Sequence, residues 1–384
     1  MPAPRVLALD HTGVLGGAEL SMLDVAAGLD GDVTVRLFAD GPFREALERR
    51  GVDVRVLAMG ALAGVRKGSL VPSPGALLAA WTLAGEVARV ACTARVLYAN
   101  SEKAFVVAAL AAGRCGRPVV WHLRDLMGPP HFSRLNTRGV VTLANWRAAR
   151  VITNSQATAD AFVAWGGTRD VVRVVHNGID AAPFDAVSDD AARALRARLS
   201  PGAAHVVAVF GRLHAWKGQQ VAIDAMVQLP PDCHLWIVGA PLFGEHEFAA
   251  GLRAQAERLG LASRVHFLGF RDDIAALMRA ADVVVHASTL PEPFGRVLVE
   301  GMLAGRPVIA TAGGGVGEIV RDGSTGVLVP PGDAVALARA VAALRADPAR
   351  AAAMALAGRE HARRDFGVSA MVRGVRAVLD EVAA

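Results

Sequence analysis

Arg212 and Lys217 lie between Gly211 and Gly218, directly after the apolar run Val206 to Phe210. A glycine at a strand end lets the backbone approach a ligand closely. Two cations beside it suit a diphosphate, whose departing charge they can stabilise without a metal. The same residues also fit a solvated loop with surface cations. A second string, Ser288-Thr289-Leu290-Pro291-Glu292-Pro293-Phe294-Gly295-Arg296, follows the apolar run that ends near His286 and continues through Val297-Leu298-Val299 to Glu300 and Gly301. Pro293 and Gly295 favour a tight strand-to-helix turn whose exposed amides suit an anion. Glu292 then falls in the loop and Glu300 on the helix, so the two carboxylates can address different parts of one extended ligand. Vicinal hydroxyls are natural partners, because each carboxylate oxygen accepts strong hydrogen bonds. A helix cap and a surface glutamate form the plainer alternative.

Other strings speak less loudly. Gly16-Gly17-Ala18-Glu19 stands before an amphipathic stretch and after the first apolar run, a phosphate-loop signal that many ordinary turns share. Trp121-His122-Leu123-Arg124-Asp125 ends another apolar run, and a lone histidine there is more often structural than catalytic. Asp30-Gly31-Asp32 imitates an Asp-x-Asp metal pair, but its place in a glycine turn before a strand reads as a turn, and no metal is expected. Cys92, Cys115 and Cys233 are far apart without C-x-x-C spacing, so they read as reduced thiols, mostly in the core.

These loops need a scaffold, and the chain alternates short β-branched runs with longer Ala/Leu-rich stretches. Strands are expected at Arg5 to Leu9, Val33 to Phe38, Val52 to Leu57, Val96 to Ala99, Pro118 to His122, Val151 to Asn154 and Val172 to His176. A second set follows at Val206 to Phe210, Leu235 to Val238, Val265 to Leu268, Val283 to His286, Val308 to Thr311 and Val327 to Val329. Strand-helix alternation means a parallel sheet covered by helices on both faces, so two doubly wound α/β domains are predicted. The junction belongs in the turn-rich stretch from Asn177-Gly178 to Pro201-Gly202, with a helix over Asp189 to Leu199. The expected division is residues 1–180, residues 181–368, and a last helix over 369–384 that packs back on the first domain. In open parallel sheets ligands bind beyond the carboxyl ends of the strands, where all the strings above fall.

A chain of 384 residues is long for one core, and 53% hydrophobic with 20% charged residues is globular rather than disordered. The net charge of +5 invites a polyanion, yet the basic residues are dispersed and there is one tyrosine, which argues against nucleic acid. Peripheral contact with an anionic membrane is the better use of that excess. The start has too short an apolar run for a signal peptide, and the stretch Ala104 to Gly113 is about half of the ~20 residues a membrane helix needs. A cytoplasmic protein is therefore expected, working where needed at the inner face of the membrane. The apolar 60–82 region, with Trp81, reads either as packing or as the edge of a lipid-facing groove.

The Glu292-to-Glu300 string resembles glycosyltransferase family 4, together with its continuation Ala304-Gly305-Arg306-Pro307-Val308-Ile309-Ala310. The Arg212 and Lys217-Gly218 pair, Gly313-Gly314-Gly315-Val316-Gly317-Glu318, Asp322-Gly323 and Gly326 carry the likeness further. It covers nearly the whole chain and is most specific in the C-terminal half. The family consists largely of retaining GT-B enzymes, so the resemblance implies two Rossmann-like domains facing each other across a cleft, the first for the acceptor and the second for a UDP- or GDP-linked sugar. It further implies that Arg212 and Lys217 bind the donor diphosphate, Glu292 the hydroxyls of the transferred sugar, and Glu300 the ribose. By the same likeness, backbone amides around Phe294, Gly295 and Arg296 hold phosphate or sugar, and Pro293 belongs to the donor site. Gly211 and Gly239 line the donor site, Phe270 stands at the nucleobase or simply packs, and Gly16 and Gly17 approach the phosphates and the acceptor. His122 is similar to the family histidine near the sugar, although the string here reads His-Leu-Arg-Asp where many relatives have His-Asp, which leaves Asp125 without an assigned role. His176-Asn177-Gly178-Ile179-Asp180 is similar to a family hinge, with His176 in place of the usual proline, and Asn154-Ser155 reads as the polar end of a strand. Double displacement would need a carboxylate nucleophile under the anomeric carbon, and no residue declares itself as one. Front-face attack without metal or cofactor is expected. Three competing readings are a sugar-nucleotide 2-epimerase, a non-catalytic sugar-nucleotide scaffold, and a dinucleotide-dependent oxidoreductase; the last lacks G-x-G-x-x-G after the first strand.

Overall fold

The computed structural model describes residues 5–59, 74–241 and 244–383, so residues 60–73 of the apolar 60–82 region lie outside the described residues. The chain forms two units, one of residues 1–178 with 368–384 and one of residues 179–367.

The N-terminal unit is built on seven parallel strands, β1 (Val6–Asp10), β2 (Val33–Leu37), β3 (Asp53–Val56), β4 (Val96–Ala99), β5 (Val119–Leu123), β6 (Ala148–Thr153) and β7 (Val172–Val174), in the order β3-β2-β1-β4-β5-β6-β7. Every residue of β1, β4 and β5 is buried, which is why these strands read as continuous apolar runs rather than alternating ones. Helices α1 (Gly17–Gly28) to α6 connect them: α2 (Pro42–Arg49), α3 (Pro74–Ala91), α4 (Glu102–Cys115), α5 (Arg134–Arg147) and α6 (Gln156–Ala164). One face of the sheet packs on α3, α4 and α5, where Trp121 stacks on Phe105 with ring centroids 4.5 Å apart. Serine caps start three of these helices: the hydroxyls of Ser101, Ser133 and Ser155 accept the amides of Ala104, Asn136 and Thr158.

In the C-terminal unit the order β10-β9-β8-β11-β12-β13 is formed by β8 (His205–Phe210), β9 (Cys233–Val238), β10 (Val265–Gly269), β11 (Val283–His286), β12 (Val308–Thr311) and β13 (Val327–Val329), again all parallel. Its helices are α7 (Ala182–Asp185), α8 (Asp189–Leu199), α9 (Gln219–Ala225), α10 (His246–Arg258), α11 (Ile274–Ala280), α12 (Arg296–Leu303), α13 (Val316–Ile319), α14 (Ala334–Ala346) and α15 (Pro348–Asp365). The last helix, α16 (Val368–Ala383), belongs to the N-terminal unit, where Met371, Val375, Val378 and Leu379 join the core beside β1 and β2.

All thirteen expected strands are present, and β6 begins three residues before its expected start because Ala148 already pairs with Val119. Asp30 and Gly31 are both left-handed, with φ of 50° and 82°, and make the turn that closes α1. Cys92 departs from the expectation of core thiols: it is exposed just past the end of α3, while Cys115 is half-buried and Cys233 buried. In each sheet the strand order reverses once, between β1 and β4 and between β8 and β11. Such switch points splay the following loops apart and leave room for a ligand.

Candidate active site

At the switch point of the C-terminal unit, two loops converge. The β8 strand is followed by Gly211 (φ 136°), whose amide donates to the Val238 carbonyl at 3.0 Å. Gly239 (φ 145°) follows the neighbouring strand β9, and a Cβ there would overlap the Gly211 carbonyl oxygen. Beyond them, His214 shapes the loop: its Nδ1 accepts the Trp216 amide at 3.3 Å, so Nε2 carries the proton, 2.9 Å from Glu245 Oε1. Gly218 (φ 73°) then lies against the end of β11 so closely that a Cβ would overlap the Ala287 carbonyl oxygen. This contact delivers Lys217 to the second loop.

There the Lys217 ammonium donates to Glu292 Oε1. Ser288 Oγ donates to the same oxygen at 2.7 Å, and His286 Nε2 stands 3.3 Å from it, near enough for attraction but misaligned for a hydrogen bond. Glu292 is 6% exposed. Burial alone would raise its pKa, but Lys217 and His286 outweigh it and hold the carboxyl well below the usual range. The Glu292 backbone is fixed as well, its carbonyl accepting the Gly315 amide at 2.8 Å, while a Cβ on Gly314 (φ 62°) would overlap that carbonyl. Pro293 leads into buried Phe294 and Gly295 (φ 108°), which starts α12. Within α12, Arg296 Nε is 3.6 Å from Glu300 Oε1, and burial pushes the Glu300 carboxyl up against the opposing effect of Arg296. Arg212 is half-buried, with its guanidinium 5.9 Å from the Trp216 ring that Lys217 covers at 4.2 Å.

A second polar cluster sits at the switch point of the N-terminal unit. Buried Asp10, at the end of β1, accepts the Asn100 side-chain amide at 2.5 Å and the His11 amide at 2.5 Å, and its Oδ1 is 3.1 Å from His11 Nδ1. Asn100 Oδ1 in turn accepts Arg124 Nε at 3.0 Å and Nη2 at 2.8 Å, and Arg124 Nη1 donates to Asn177 Oδ1 at 2.7 Å. Beside this chain the Glu19 carboxylate accepts the Gly16 amide at 3.0 Å, capping α1, and burial together with Asp10 pushes its pKa up to about 7. His122 is fully buried and neutral: burial and Arg124 hold its pKa well below the usual value. Its Nδ1 is 2.5 Å from the Tyr98 hydroxyl, which burial raises to about 12 against the field of Arg124. A hydroxyl that keeps its proton donates to Nδ1, so Nε2 carries the imidazole proton, and this buried N–H has no partner among the described residues.

Comparison with known proteins now fixes the family. The family model for glycosyl transferases group 1 matches residues 192–361 and that for glycosyltransferase family 4 matches residues 15–182. HepE of Anabaena, solved with UDP and glucose, is 40% identical over 98% of this chain and 99% of its own, with a TM-score of 0.90. The D-inositol 3-phosphate glycosyltransferase of Salinispora tropica is 33% identical, the match covering 92% of this chain and 78% of that protein. This chain is a family 4 glycosyltransferase. Its GT-B fold extends to sucrose-phosphate synthase of Thermosynechococcus elongatus, at 22% identity and a TM-score of 0.80, a likeness of fold alone.

The glycosyltransferase brings Lys217 and Glu292 into direct contact, seats Arg212 beside Trp216, and closes Gly211 on Gly239. Phe270 follows β10 and is 82% exposed, clear of packing. Gly16, Gly17 and His122 belong to the N-terminal unit. Sequence reasoning passed over His286 and Ser288, which hold Glu292, and over the chain from Asp10 through Asn100 to Arg124. A usable signal existed, because each is a polar residue in or just after an apolar strand, where burial is costly unless a partner waits.

Proposed function

We propose that the enzyme transfers a hexose from a nucleoside diphosphate sugar to a hydroxyl acceptor with retention of anomeric configuration and without a metal. The observation that carries this reading is the convergence of Lys217, Ser288 and His286 on one oxygen of Glu292. That arrangement keeps a buried carboxylate ionised, with Oε1 engaged by the protein and Oε2 left to accept sugar hydroxyls. Lys217 and Arg212 sit on the diphosphate, the amides of Phe294, Gly295 and Arg296 with Pro293 beside them and the backbone at Gly211 and Gly239 line the donor, Glu300 takes the ribose, and Phe270 the base. In the N-terminal unit, Gly16 and Gly17 approach the phosphates and acceptor, and the Nε2–H of His122, which has no partner among the described residues, donates to the sugar. HepE, solved with UDP-glucose at 40% identity and a TM-score of 0.89, supports a UDP-linked hexose as donor.

Glu292 is pinned through Oε1 and serves as a ligand to hydroxyls, so transfer proceeds by front-face attack. The anomeric carbon–oxygen bond to the diphosphate breaks, the acceptor oxygen bonds to the same face, and the acceptor proton passes to the leaving phosphate oxygen. Catalysis then rests on positioning and on electrostatic stabilisation of the diphosphate. We place the reaction in the cytoplasm at the inner face of an anionic membrane, a reading supported by the net charge of +5.

Thermal shift against UDP-glucose, GDP-mannose and free UDP tests the donor, since ligand at ~100 times its Kd adds about 2.7 kcal/mol of stability. The expected result is a UDP-glucose shift that Glu292→Gln cuts back to the level given by free UDP, with sugar transfer unchanged in excess chelator. No shift with any nucleotide sugar refutes the donor assignment, and loss of activity to the chelator refutes metal independence.

A further inference from the structure

The α3–α5 face of the N-terminal unit carries a strip of side chains that sugar transfer does not use. Trp81 and Trp146 are 55% and 71% exposed. Each ring is covered by a guanidinium, Arg114 at 3.8 Å from the Trp81 centroid and Arg147 at 3.8 Å from that of Trp146. Arg114 Nη1 also donates to the Trp81 carbonyl at 3.0 Å, and the second pair lies beside the preceding residue of α4, since a Cβ on Gly113 would stand 3.3 Å from Arg147 Nη2. Leu77 and Leu78, one turn before Trp81, are 57% and 66% exposed. Leu135, about three turns before Trp146 and hence on the same side of α5, is also exposed.

Charge distinguishes the occupants such a strip could take. Helices α3, α4 and α5 carry six cations, Arg89, Lys103, Arg114, Arg134, Arg138 and Arg147, against the carboxylates of Glu86 and Glu102. Glu102 is itself engaged by the Asn136 amide at 2.9 Å. Neither Arg114 nor Arg147 has an ion-pair partner among the described residues. A second copy of the chain would oppose cations to cations across a two-fold axis. Stacked bases of a nucleic acid would meet rings already covered by guanidinium. An anionic bilayer meets both requirements, since tryptophan prefers the interface, exposed leucines enter the acyl boundary, and unpaired arginines are drawn to the lipid phosphates.

We propose that the strip Trp81, Arg114, Arg147 and Trp146, flanked by Leu77, Leu78 and Leu135, docks the enzyme on an anionic phospholipid bilayer. This deepens the membrane part of the functional reading and is independent of the donor. The full chain is co-sedimented with phosphatidylcholine vesicles and with the same vesicles doped with phosphatidylglycerol. Binding is expected to the doped vesicles and to weaken with salt. Arg114→Gln and Arg147→Gln should each lower partitioning roughly fivefold while Arg→Lys at either site retains it, and Trp81→Ala with Trp146→Ala should reduce it further. The thermal shift with UDP-glucose, unchanged across the variants, reports that donor site and fold are intact. Failure of the wild type to bind doped vesicles overturns both the strip and the membrane contact, leaving the donor reading untouched. Equal binding by wild type and the Trp81→Ala, Trp146→Ala, Arg114→Gln, Arg147→Gln protein overturns the strip alone. A concentration-dependent dimer that those variants abolish also overturns it, in favour of a second copy.

Discussion

Lys217→Met removes the ammonium that Glu292 faces while keeping most of the side-chain volume. The carboxylate would keep Ser288 Oγ at 2.7 Å and His286 Nε2 at 3.3 Å but lose its closest cation. Breaking a buried ion pair from one side costs about 3–5 kcal/mol, and because the Lys217 side chain is 24% exposed the expected loss lies at the low end, about 3 kcal/mol. The pH dependence has a definite sign. In the wild type the Glu292 pKa is depressed, so its stabilisation is present above the unfolded value of 4.5 and is lost as pH falls below it. In the variant, burial acts with less opposition and raises the carboxyl, so lowering the pH protonates it and relieves the cost. The gap between the two proteins should therefore be largest at about pH 7.5 and shrink towards about pH 5. Urea denaturation of the wild type, Lys217→Met, Glu292→Gln and the double variant forms a cycle whose coupling should be about 3 kcal/mol at the higher pH. Additive single effects, or a gap that stays flat with pH, would refute the pairing.

Three further outcomes are expected. Arg212→Ala should lower kcat for UDP release from UDP-glucose by about 100-fold with little change in KM, and normal turnover would remove its role in transition-state stabilisation. Glu19, raised from 4.5 to about 7, contributes stability that is present below pH 4.5 and lost as pH rises through 7, on the order of 3 kcal/mol; Glu19→Gln should flatten that slope in pH-dependent unfolding. Gly218→Ala should cost about 3 kcal/mol by calorimetry, combining left-handed strain with overlap at the Ala287 carbonyl, whereas Gly332→Ala, also left-handed but in open space, should cost about 1 kcal/mol.

Composition and periodicity carried the fold, because strands buried on both faces must be apolar throughout and helices must be amphipathic. That constraint is local, so every strand could be located, along with the α8 helix over Asp189–Leu199. The chemistry-bearing ends of those strands were visible for a related reason: glycines and charges immediately after an apolar run fall in the loops beyond the carboxyl ends of strands, where open parallel sheets bind ligands. Lys217 and Glu292 could each be singled out as residue types in such loops.

What the linear order does not contain is the meeting of those loops. Lys217 and Glu292 touch only because β8 and β11 become neighbours at a reversal of strand order, and because Gly218 lets one loop lie against the end of β11. The same holds for the hydrogen-bonded chain from Asp10 through Asn100 to Arg124, whose members come from the end of β1 and from just after β4 and β5. Sequence determined which positions had to be buried and which loops were free to carry charge. Tertiary structure decided which charges share a site and at what protonation state, since pairing and desolvation both depend on distances that only packing sets.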